Sequence, residues 1–179
     1  MGYSKRGIQT CSMNIYLLRH GIAVEQGTAG HSKDSSRPLT SKGERKLWQI
    51  AEAMEALELS FDVILSSPYV RTRQTADIIA EAFNGRGKVE LDDELAPSGN
   101  TKTLVERLAA RKPAPEDVLL VGHEPYLSEL ISLLVAGDRG LSVLMKKGGL
   151  CKLEVESLRP SRCATLAWLL TPKQMALMA

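Results

Sequence analysis

Cysteine and histidine are both scarce in this sequence of 179 residues, which contains three of each. The cysteines, Cys11, Cys151 and Cys163, are odd in number and lack the close spacing of metal ligands. This scarcity argues against a disulfide framework and a zinc site, and it is typical of a protein in a reducing compartment. We therefore expect a cytoplasmic location and cysteines without a functional role.

An excess of one charge is also missing. The chain has 23 Lys+Arg against 21 Asp+Glu, which leaves a formal net charge of +2. So close a balance argues against a dedicated nucleic-acid or membrane-surface binder, because such proteins need extended basic surfaces. A local cluster of arginines can still bind a phosphate, so we expect any basic site to be a small pocket.

Long apolar runs are absent as well, since no stretch approaches the ~20 apolar residues of a membrane span. The segment 1–12 is polar and has no apolar core of the length found in secretory signal peptides. Met13 directly precedes the first apolar run. We therefore expect residues 1–12 to be an N-terminal extension and residues 13–179 to form one domain.

What the sequence does contain is an alternation of short apolar runs, typical of buried strands, with amphipathic segments typical of helices. The strand-like runs are Asn14–Leu18, Phe61–Leu65, Lys88–Leu91, Asp117–Val121, Leu150–Glu154 and Ala164–Leu170. This order predicts an α/β fold with three layers, α/β/α, around a mostly parallel central sheet. The late strands could add an antiparallel member.

Capping residues and prolines predict where three of the helices begin. Ser41 and Glu44 have the spacing of a capping box. Pro68 and Pro125 each follow polar residues at the end of an apolar run, and proline is favoured in the first turn of a helix. We expect helices to start at these positions.

Unusual polar residues follow three of the apolar runs, in the segments Arg19–Gly21, Ser66–Arg71 and Gly122–Pro125. The carboxyl ends of parallel strands lie at one edge of a sheet, which is where α/β folds place their functional sites. We therefore expect residues more than a hundred positions apart to meet there. The expected cluster contains Arg19, His20, Arg71 and His123.

This cluster has the composition needed for phosphoryl transfer. Guanidinium groups neutralise and orient a phosphoryl group through fixed N–H donors, and a neutral imidazole has a nucleophilic ring nitrogen. Nearby arginines also lower the pKa of a histidine and so keep its ring neutral. We interpret His20 as the candidate nucleophile and expect His123 to add a hydrogen-bond donor.

Three further residues need an interpretation. Arg73 lies two positions beyond Arg71, roughly 200° around the helix, so we expect it to be a solvated surface residue. His31 lies in a polar loop, where we also expect exposure. Gly21 would allow the backbone to come close to an anion.

No His-x-x-His or Cys-x-x-Cys pair is present, so we expect no metal and no cofactor.

Taken together, these motifs resemble the histidine phosphatase superfamily, which has the phosphoglycerate-mutase-like fold. The resemblance covers nearly the whole chain from about Met13. Within that superfamily, the small size of the chain and several shorter motifs resemble the SixA-type phosphohistidine phosphatases. The residues that carry it are Leu18-Arg19-His20-Gly21, Ser67-Pro68-x-x-Arg71-x-x-Gln74-Thr75, Gly122-His123-Glu124-Pro125, Arg37-Pro38-Leu39-Thr40-x-x-Gly43, Leu95-x-Pro97-x-Gly99 and Leu170-x-Pro172.

The resemblance implies a role for each matching residue. His20 would form a phosphohistidine intermediate, while Arg19, Arg71 and His123 would hold the phosphoryl group. Arg37 would line the substrate groove. The resemblance also implies a reaction that needs no metal and a sheet flanked by helices.

One departure from the superfamily concerns the proton donor. Many larger members carry a glutamate soon after the third strand, whereas this chain reads Asp93-Glu94-Leu95-Ala96-Pro97 there. An alkoxide leaving group needs a strong acid, but imidazole has a pKa near ~6.5 and departs with less help. The sequence therefore favours phosphohistidine over a phosphate ester, with Glu94 as the candidate acid if esters are the substrates.

We interpret the chain as a phosphatase whose partner is a phosphorylated protein, for example a phosphorelay domain, or a small phosphorylated molecule. Two alternatives remain open. One is a general phosphomonoesterase that uses Glu94, and the other is a catalytically idle phosphate-binding module. Neither a nucleic acid nor a membrane is an expected partner.

Overall fold

A computed structural model describes residues 13–28, 30, 32–85 and 88–179 of the chain. The expectations for the extension 1–12, for Cys11 and for His31 concern residues outside these ranges. Within the described part of the chain, no helix is both long and apolar enough to cross a bilayer. Cys151 and Cys163 are free thiols, and burial raises the pKa of Cys151 to about 12.

The described residues form six strands and five helices, which alternate along the chain except that the last two strands follow each other directly. The strands are β1 (Met13–Arg19), β2 (Val63–Ser66), β3 (Lys88–Leu91), β4 (Asp117–Gly122), β5 (Leu150–Val155) and β6 (Ala164–Leu170). The helices are α1 (Ser41–Ala56), α2 (Val70–Ala82), α3 (Thr101–Ala109), α4 (Tyr126–Ala136) and α5 (Pro172–Met175). Two short 3-10 helices cover Asp34–Ser36 and Asp93–Leu95. The six predicted strands are therefore confirmed, while α5 was not predicted.

The strands form one sheet in the order β3-β2-β4-β1-β5-β6. The pairs β2–β3, β2–β4 and β1–β4 are parallel, whereas β5 runs antiparallel to both of its neighbours. The mostly parallel sheet is therefore confirmed, and β5 is the antiparallel member. The order also makes β2, β4 and β1 direct neighbours.

The sheet has a hydrophobic core on each of its faces. Along β1, Ile15 and Leu17 pack with residues of α3 and α4, while Tyr16 and Leu18 pack with residues of α1, α2 and α5. This alternation follows from the two-residue period of a strand, and it makes both faces apolar. The predicted three-layer α/β/α architecture is confirmed.

The start of α1 at Ser41 is confirmed, but its cap and the starts of α2 and α4 differ from the prediction. Thr40, not Ser41, caps α1, because its hydroxyl accepts a hydrogen bond from the Gly43 N–H at 3.0 Å. Pro68 lies before α2 rather than in its first turn, since Tyr69 is the N-cap residue. Likewise, Pro125 is the N-cap of α4 and lies just outside the helix.

The late start of α2 has a physical cause. The backbone N–H of Ser67 still bonds to the Val121 carbonyl at 3.1 Å, so the β ladder continues one residue past β2. Tyr69 then keeps an extended conformation, with ψ at 140°. The helix can begin only after these residues have left the sheet.

Candidate active site

Three strand ends bring the predicted site residues to one edge of the sheet. Arg19, the last residue of β1, lies opposite Gly122 of β4. The next residue, His20, donates its backbone N–H to the Gly122 carbonyl at 3.1 Å. Because β2 flanks β4 on its other side, Ser67, His123 and His20 follow three adjacent strands. The convergence expected from the sequence is confirmed.

Arg71 connects the two histidines of this cluster. Its Nε donates to Nε2 of His20 at 3.2 Å, and its Nη2 lies 3.1 Å from Nδ1 of His123. The centroids of the two imidazole rings are 5.2 Å apart. All three side chains are almost fully buried, with 4% exposure for Arg71, 5% for His20 and 2% for His123.

The hydrogen bonds of His20 determine which ring nitrogen carries the proton. Nδ1 lies 2.8 Å from the carbonyl oxygen of Gly21, which can only accept. Nε2 faces the Arg71 guanidinium, which can only donate. The neutral ring therefore carries its proton on Nδ1 and has its lone pair on Nε2. This is the form in which a histidine nitrogen acts as a nucleophile.

The surroundings of His20 also keep its ring neutral. Burial is the main cause that lowers its pKa, and the charges of Arg71 and Arg19 and the neighbouring His123 lower it further. The hydrogen bond to the Gly21 carbonyl opposes this effect. The resulting pKa is about 3, which agrees in direction with the sequence-based expectation.

His123 has the opposite ring tautomer. Since the Arg71 guanidinium donates to Nδ1, the proton of the neutral ring lies on Nε2, which donates to the hydroxyl of buried Ser67 at 2.8 Å. Burial and then the charge of Arg71 lower its pKa to about 3, against an opposing effect of Asp34. The Tyr69 ring packs edge-on against the imidazole, with centroids 4.9 Å apart. The sequence reasoning missed the contact with Ser67.

The first turn of α2 positions Arg71. The Thr75 hydroxyl donates to the Arg71 carbonyl at 2.7 Å and accepts from the Gly21 N–H at 3.2 Å. These two bonds tie the turn to the end of β1. Arg73, in contrast, is 63% exposed and forms an ion pair with Asp77 at 3.8 Å, as expected for a surface residue.

Asp34 is the main residue of the cluster that the sequence reasoning missed. Its Oδ2 accepts from Arg71 Nη2 at 2.9 Å, and its backbone carbonyl accepts from Arg71 Nη1 at 2.7 Å. Its Oδ1 accepts from Arg37 Nε at 2.8 Å, and Arg37 Nη2 also contacts that oxygen. The three-residue spacing of Asp34 and Arg37 was a signal of local pairing that could have been used.

Arg37 lies on the same side of the cluster as Asp34, because it binds the carboxylate that also accepts from Arg71. Its Nη1 donates to the Val24 carbonyl at 2.7 Å, and the side chain is 16% exposed. Its charge contributes to lowering the pKa of His123. The structure therefore places Arg37 beside the site, in contact with Asp34.

Arg19 approaches the cluster from β1. Its Nη1 donates to the Met145 carbonyl at 2.7 Å, in the segment between α4 and β5. Its Nε is buried and has no hydrogen-bond partner within the described part of the chain. Burial lowers the pKa of Arg19, opposed by the charge of Glu124, and Arg71 lowers it further. A buried N–H without a partner is a donor that an anion can use.

Gly21 has a different role from the one predicted. Its N–H, the backbone group that could donate to an anion, is already bonded to Thr75, and its carbonyl accepts from the His20 ring. A Cβ atom at this position would lie 2.8 Å from Cδ1 of Leu47. The absence of a side chain therefore serves the packing of α1 against the end of β1.

Glu94 is directed to another part of the molecule. Its Oε2 accepts from the Asn100 N–H at 2.7 Å, and its Oε1 lies 3.6 Å from Nη2 of Arg107. Glu94 thus binds the start of α3 and makes no hydrogen bond to the histidines or to Arg71. The sequence-based suggestion of a general acid receives no support from these contacts.

The cluster combines a nucleophilic nitrogen with several fixed cationic donors. Two neutral imidazoles and two guanidiniums, those of Arg19 and Arg71, lie at the sheet edge, and Asp34 links Arg71 to Arg37. Such an arrangement suits a reaction in which negative charge must be held while a bond to phosphorus is exchanged. Among the described residues, no group of three or more His, Cys, Asp or Glu side chains could hold a metal ion.

Comparisons with known proteins agree with this chemistry. Residues 15–97 match the model of the histidine phosphatase superfamily, branch 1. An uncharacterized protein of Picosynechococcus is 36% identical over 148 residues, which cover 82% of this chain and 88% of that protein. The phosphohistidine phosphatase SixA of Escherichia coli is 27% identical over 127 residues, which cover 70% of this chain and 76% of that protein.

Solved structures share the fold. One of them is the structure of the protein histidine phosphatase SixA complexed with tungstate. It aligns with this chain with a TM-score of 0.77 and 24% sequence identity, and the alignment covers 90% of this chain and 98% of the SixA chain. The family model and the sequence relatives confirm the superfamily resemblance seen in the motifs. The chain belongs to the histidine phosphatase superfamily and is a phosphatase, an enzyme of the hydrolase class.

Proposed function

We propose that this enzyme removes the phosphoryl group from phosphohistidine on a protein, with His20 as the nucleophile. The observation that carries the proposal is the hydrogen bonding of the His20 ring. Nδ1 is engaged by the Gly21 carbonyl, and the lone pair of Nε2 faces the Arg71 guanidinium. A neutral nucleophile is therefore held against a cation that attracts phosphate.

The proposed reaction has two displacements. In the first, Nε2 of His20 forms a bond to phosphorus while the bond between phosphorus and the leaving group breaks, and the leaving group takes the electron pair. In the second, water attacks the phosphorylated His20, which releases inorganic phosphate and restores the neutral ring. When the substrate binds, its phosphoryl group accepts the hydrogen bond that Arg71 Nε donates to His20 Nε2 in the free enzyme.

Three side chains hold the phosphoryl group in this proposal. Arg71 supplies several N–H donors from one rigid plane, and Arg19 supplies the buried Nε that has no partner among the described residues. His123 donates to the group from Nδ1 after Arg71 has shifted away, in the other neutral tautomer of the ring, with the Ser67 hydroxyl donating to Nε2. Arg37 lies farther out and contacts the remainder of the substrate. These roles extend the superfamily resemblance to the matching residues of this chain.

The leaving group is the reason to favour phosphohistidine over a phosphate ester. An ester releases an alkoxide and needs a proton donor, but the suggested donor, Glu94, is held by Asn100 at the start of α3 and by Arg107 in its last turn. Imidazole is a much better leaving group. Two curated relatives, from Escherichia coli and Haemophilus influenzae, are named as a phosphohistidine phosphatase SixA and a homolog of it.

The proposed partner is a cytoplasmic phosphoprotein, such as a phosphorelay domain. The arginines supply the positive charge that phosphoryl transfer needs, so we propose a reaction without a metal. Addition of EDTA should leave the rate unchanged. A loss of activity that Mg²⁺ or Zn²⁺ restores would contradict this part of the proposal.

A substrate panel tests the proposed function. Wild type and His20→Ala should be assayed on a phosphohistidine protein, a phosphoserine peptide and a small phosphate ester. We expect the phosphohistidine protein to be the preferred substrate. We also expect rapid quenching of the wild type to trap a phosphoenzyme that is labile in acid, with both signals lost in His20→Ala.

Each other outcome selects a different function. A clear preference for the small ester would favour a general phosphomonoesterase. Phosphate binding without turnover of any substrate would favour an idle binding module. Activity retained in His20→Ala would exclude His20 as the nucleophile.

A further inference from the structure

Asp34 connects the two arginines at the outer side of the cluster. One carboxylate oxygen accepts from Arg71 at 2.9 Å and the other from Arg37 at 2.8 Å. Asp34 is an acidic residue in direct contact with a guanidinium that the proposed function assigns to phosphate. A carboxylate at this position needs an explanation, because it competes with phosphate for the same cation.

Exposure indicates which part of a substrate Asp34 would face. His20 and His123 are only 5% and 2% exposed, whereas the side chain of Asp34 is 36% exposed. Asp34 therefore lies at the mouth of the site and the histidines at its floor. In an in-line displacement the leaving group departs on the side opposite the nucleophile. A leaving group that departs from His20 is therefore directed toward the mouth.

The contacts of Asp34 keep its carboxyl group ionised. Partial burial alone would raise the pKa of Asp34, but hydrogen bonds from Arg37 and Arg71 and the charges of both arginines outweigh it and hold the pKa below its ordinary value. An ionised carboxylate has no proton to give to an alkoxide. It can, however, accept a hydrogen bond from a cationic group.

We propose that Asp34 is a specificity-determining residue whose carboxylate accepts a hydrogen bond from the protonated imidazole of the leaving group. The proposal rests on the proposed function and names the feature that selects its substrate class. The favoured substrates are phosphoramidates with a protonatable ring nitrogen. The bridging oxygen of a phosphate ester is part of no cationic ring and carries no proton, so the reacting group of an ester cannot make this contact.

The chemistry balances without a proton donor from the protein. In phosphorylated imidazole one ring nitrogen is bonded to phosphorus, and the other accepts a proton from water near neutral pH, which makes the ring cationic. When Nε2 of His20 forms its bond to phosphorus, the P–N bond breaks and its electron pair stays on the departing nitrogen. That pair cancels the ring charge, so imidazole leaves as a neutral molecule with its proton in place. Asp34 stabilises the cationic form that precedes this step.

The test compares Asp34→Asn with wild type on two small substrates, N-phosphoimidazole and p-nitrophenyl phosphate. Asparagine keeps the size of the side chain and an oxygen that can accept from Arg71, but it removes the charge. We expect kcat/KM for N-phosphoimidazole to fall at least about tenfold, because a charge-assisted hydrogen bond is lost. For p-nitrophenyl phosphate we expect a clearly smaller loss, because its leaving group makes no hydrogen bond to Asp34.

A pH profile gives a second readout that a merely structural role would not change. In wild type, kcat for N-phosphoimidazole should fall as the pH rises and the substrate ring loses its proton. Asp34→Asn should move this limb to lower pH. The charged and titratable groups that face Asp34 are Arg37 in its own segment, Arg71 from α2 and His123 after β4. The pKa of His123 is about 3, so this ring does not produce a limb near neutral pH.

Asp77→Asn is the matched control, because Asp77 also pairs with an arginine but does so on the exposed surface of α2. Its kcat/KM should equal that of wild type on both substrates. An equal loss on both substrates in Asp34→Asn would show that Asp34 only orients Arg71, and no loss on N-phosphoimidazole would exclude the contact. Either result overturns this inference and leaves the proposed function standing. The proposed function fails instead if wild type does not hydrolyse phosphohistidine protein while His20→Ala abolishes ester hydrolysis.

Discussion

The Nε2 atom of His123 lies 2.8 Å from the hydroxyl oxygen of Ser67, and both side chains are buried. The bond crosses from the end of β4 to the end of β2 and determines how the imidazole is rotated. It also places the ring proton on the side away from Arg71. A serine that follows a neighbouring strand thus orients a residue of the proposed phosphate site.

Ser67→Ala should therefore impair catalysis as well as stability. The ring N–H of His123 would lose its acceptor in a buried environment, which costs about 1–3 kcal/mol. We expect kcat to fall roughly tenfold or more because the ring is no longer held in one orientation. Ser66→Ala is the matched control, since this neighbouring buried serine bonds to the Ser67 carbonyl and not to His123. Equal activity losses in the two variants would contradict the orienting role.

Arg71→Lys should show that the shape of the guanidinium matters in addition to its charge. A lysine ammonium cannot reach His20, His123 and Asp34 from one plane as Arg71 does. We expect kcat/KM to fall about 10²–10³-fold, the usual effect of removing donors that stabilise a transition state. The measurement is steady-state hydrolysis of the preferred substrate.

Arg73→Lys is the control for that substitution, because Arg73 lies on the same helix and is largely exposed. Its kcat/KM should stay within about twofold of wild type, as is usual for exposed positions. Similar losses in both variants would mean that replacing either arginine of α2 impairs the enzyme, and that the contacts of Arg71 with the site are not the cause.

The folded protein should lose stability when the pH falls below the ordinary pKa of histidine. The pKa of His20 and of His123 is about 3 in the folded state, against 6.5 for a free histidine. Between these values only the unfolded chain binds protons at the two rings, so lowering the pH favours unfolding. The contribution of the neutral rings is fully present above pH 6.5 and is lost as the pH falls toward 3.

Urea unfolding at pH 7.5 and at pH 5 measures this effect. Each histidine should contribute about 2 kcal/mol to the loss of unfolding free energy between the two conditions. His20→Gln removes one titrating group, so its loss should be smaller than that of wild type by about this amount. An identical pH dependence in the two proteins would show that His20 is not buried in its neutral form.

Gly43→Ala should destabilise the protein although alanine is the better helix former. A Cβ atom on Gly43 would lie 2.2 Å from the backbone carbonyl oxygen of Ile22, so helix α1 would have to move away from the segment after His20. The gain of about 1 kcal/mol in helix propensity cannot offset such an overlap. Thermal unfolding and hydrolysis should both show the loss.

Gly21→Ala provides a graded comparison. Here the added Cβ meets the tips of Leu47 and Leu39 at 2.8 and 3.2 Å, and such side chains can shift more easily than backbone. We expect a smaller loss of stability than in Gly43→Ala. The reverse order would mean that the core around Leu47 is more rigid than the backbone contact.

The strands and the motif residues could be located from the sequence because their signals are local. A strand buried on both faces is written as consecutive apolar residues, and β1, β2 and β4 all have this pattern. The same holds for Arg71 and Arg73, whose different environments followed from helical spacing. Family motifs then assigned the chain to a superfamily that the comparisons confirm.

Helix boundaries were less predictable, because contacts from other elements decide them. Pro68 was expected in the first turn of α2, but the preceding Ser67 continues the β ladder and binds His123. Gly21 looked suited to an anion, but its backbone groups bind Thr75 and the His20 ring. In each case a hydrogen bond to another residue occupies the group for which the local pattern had predicted a different role.

The chemistry-bearing residues His20, Arg71 and His123 were therefore evident from local sequence, since strand ends and helix spacing are short-range properties. Their mutual contacts were not, because they depend on β2, β4 and β1 being neighbours. The position of Asp34 likewise came from the folded chain alone. A polar loop has no periodicity that reveals where it packs, and only long-range folding brings this carboxylate onto Arg71.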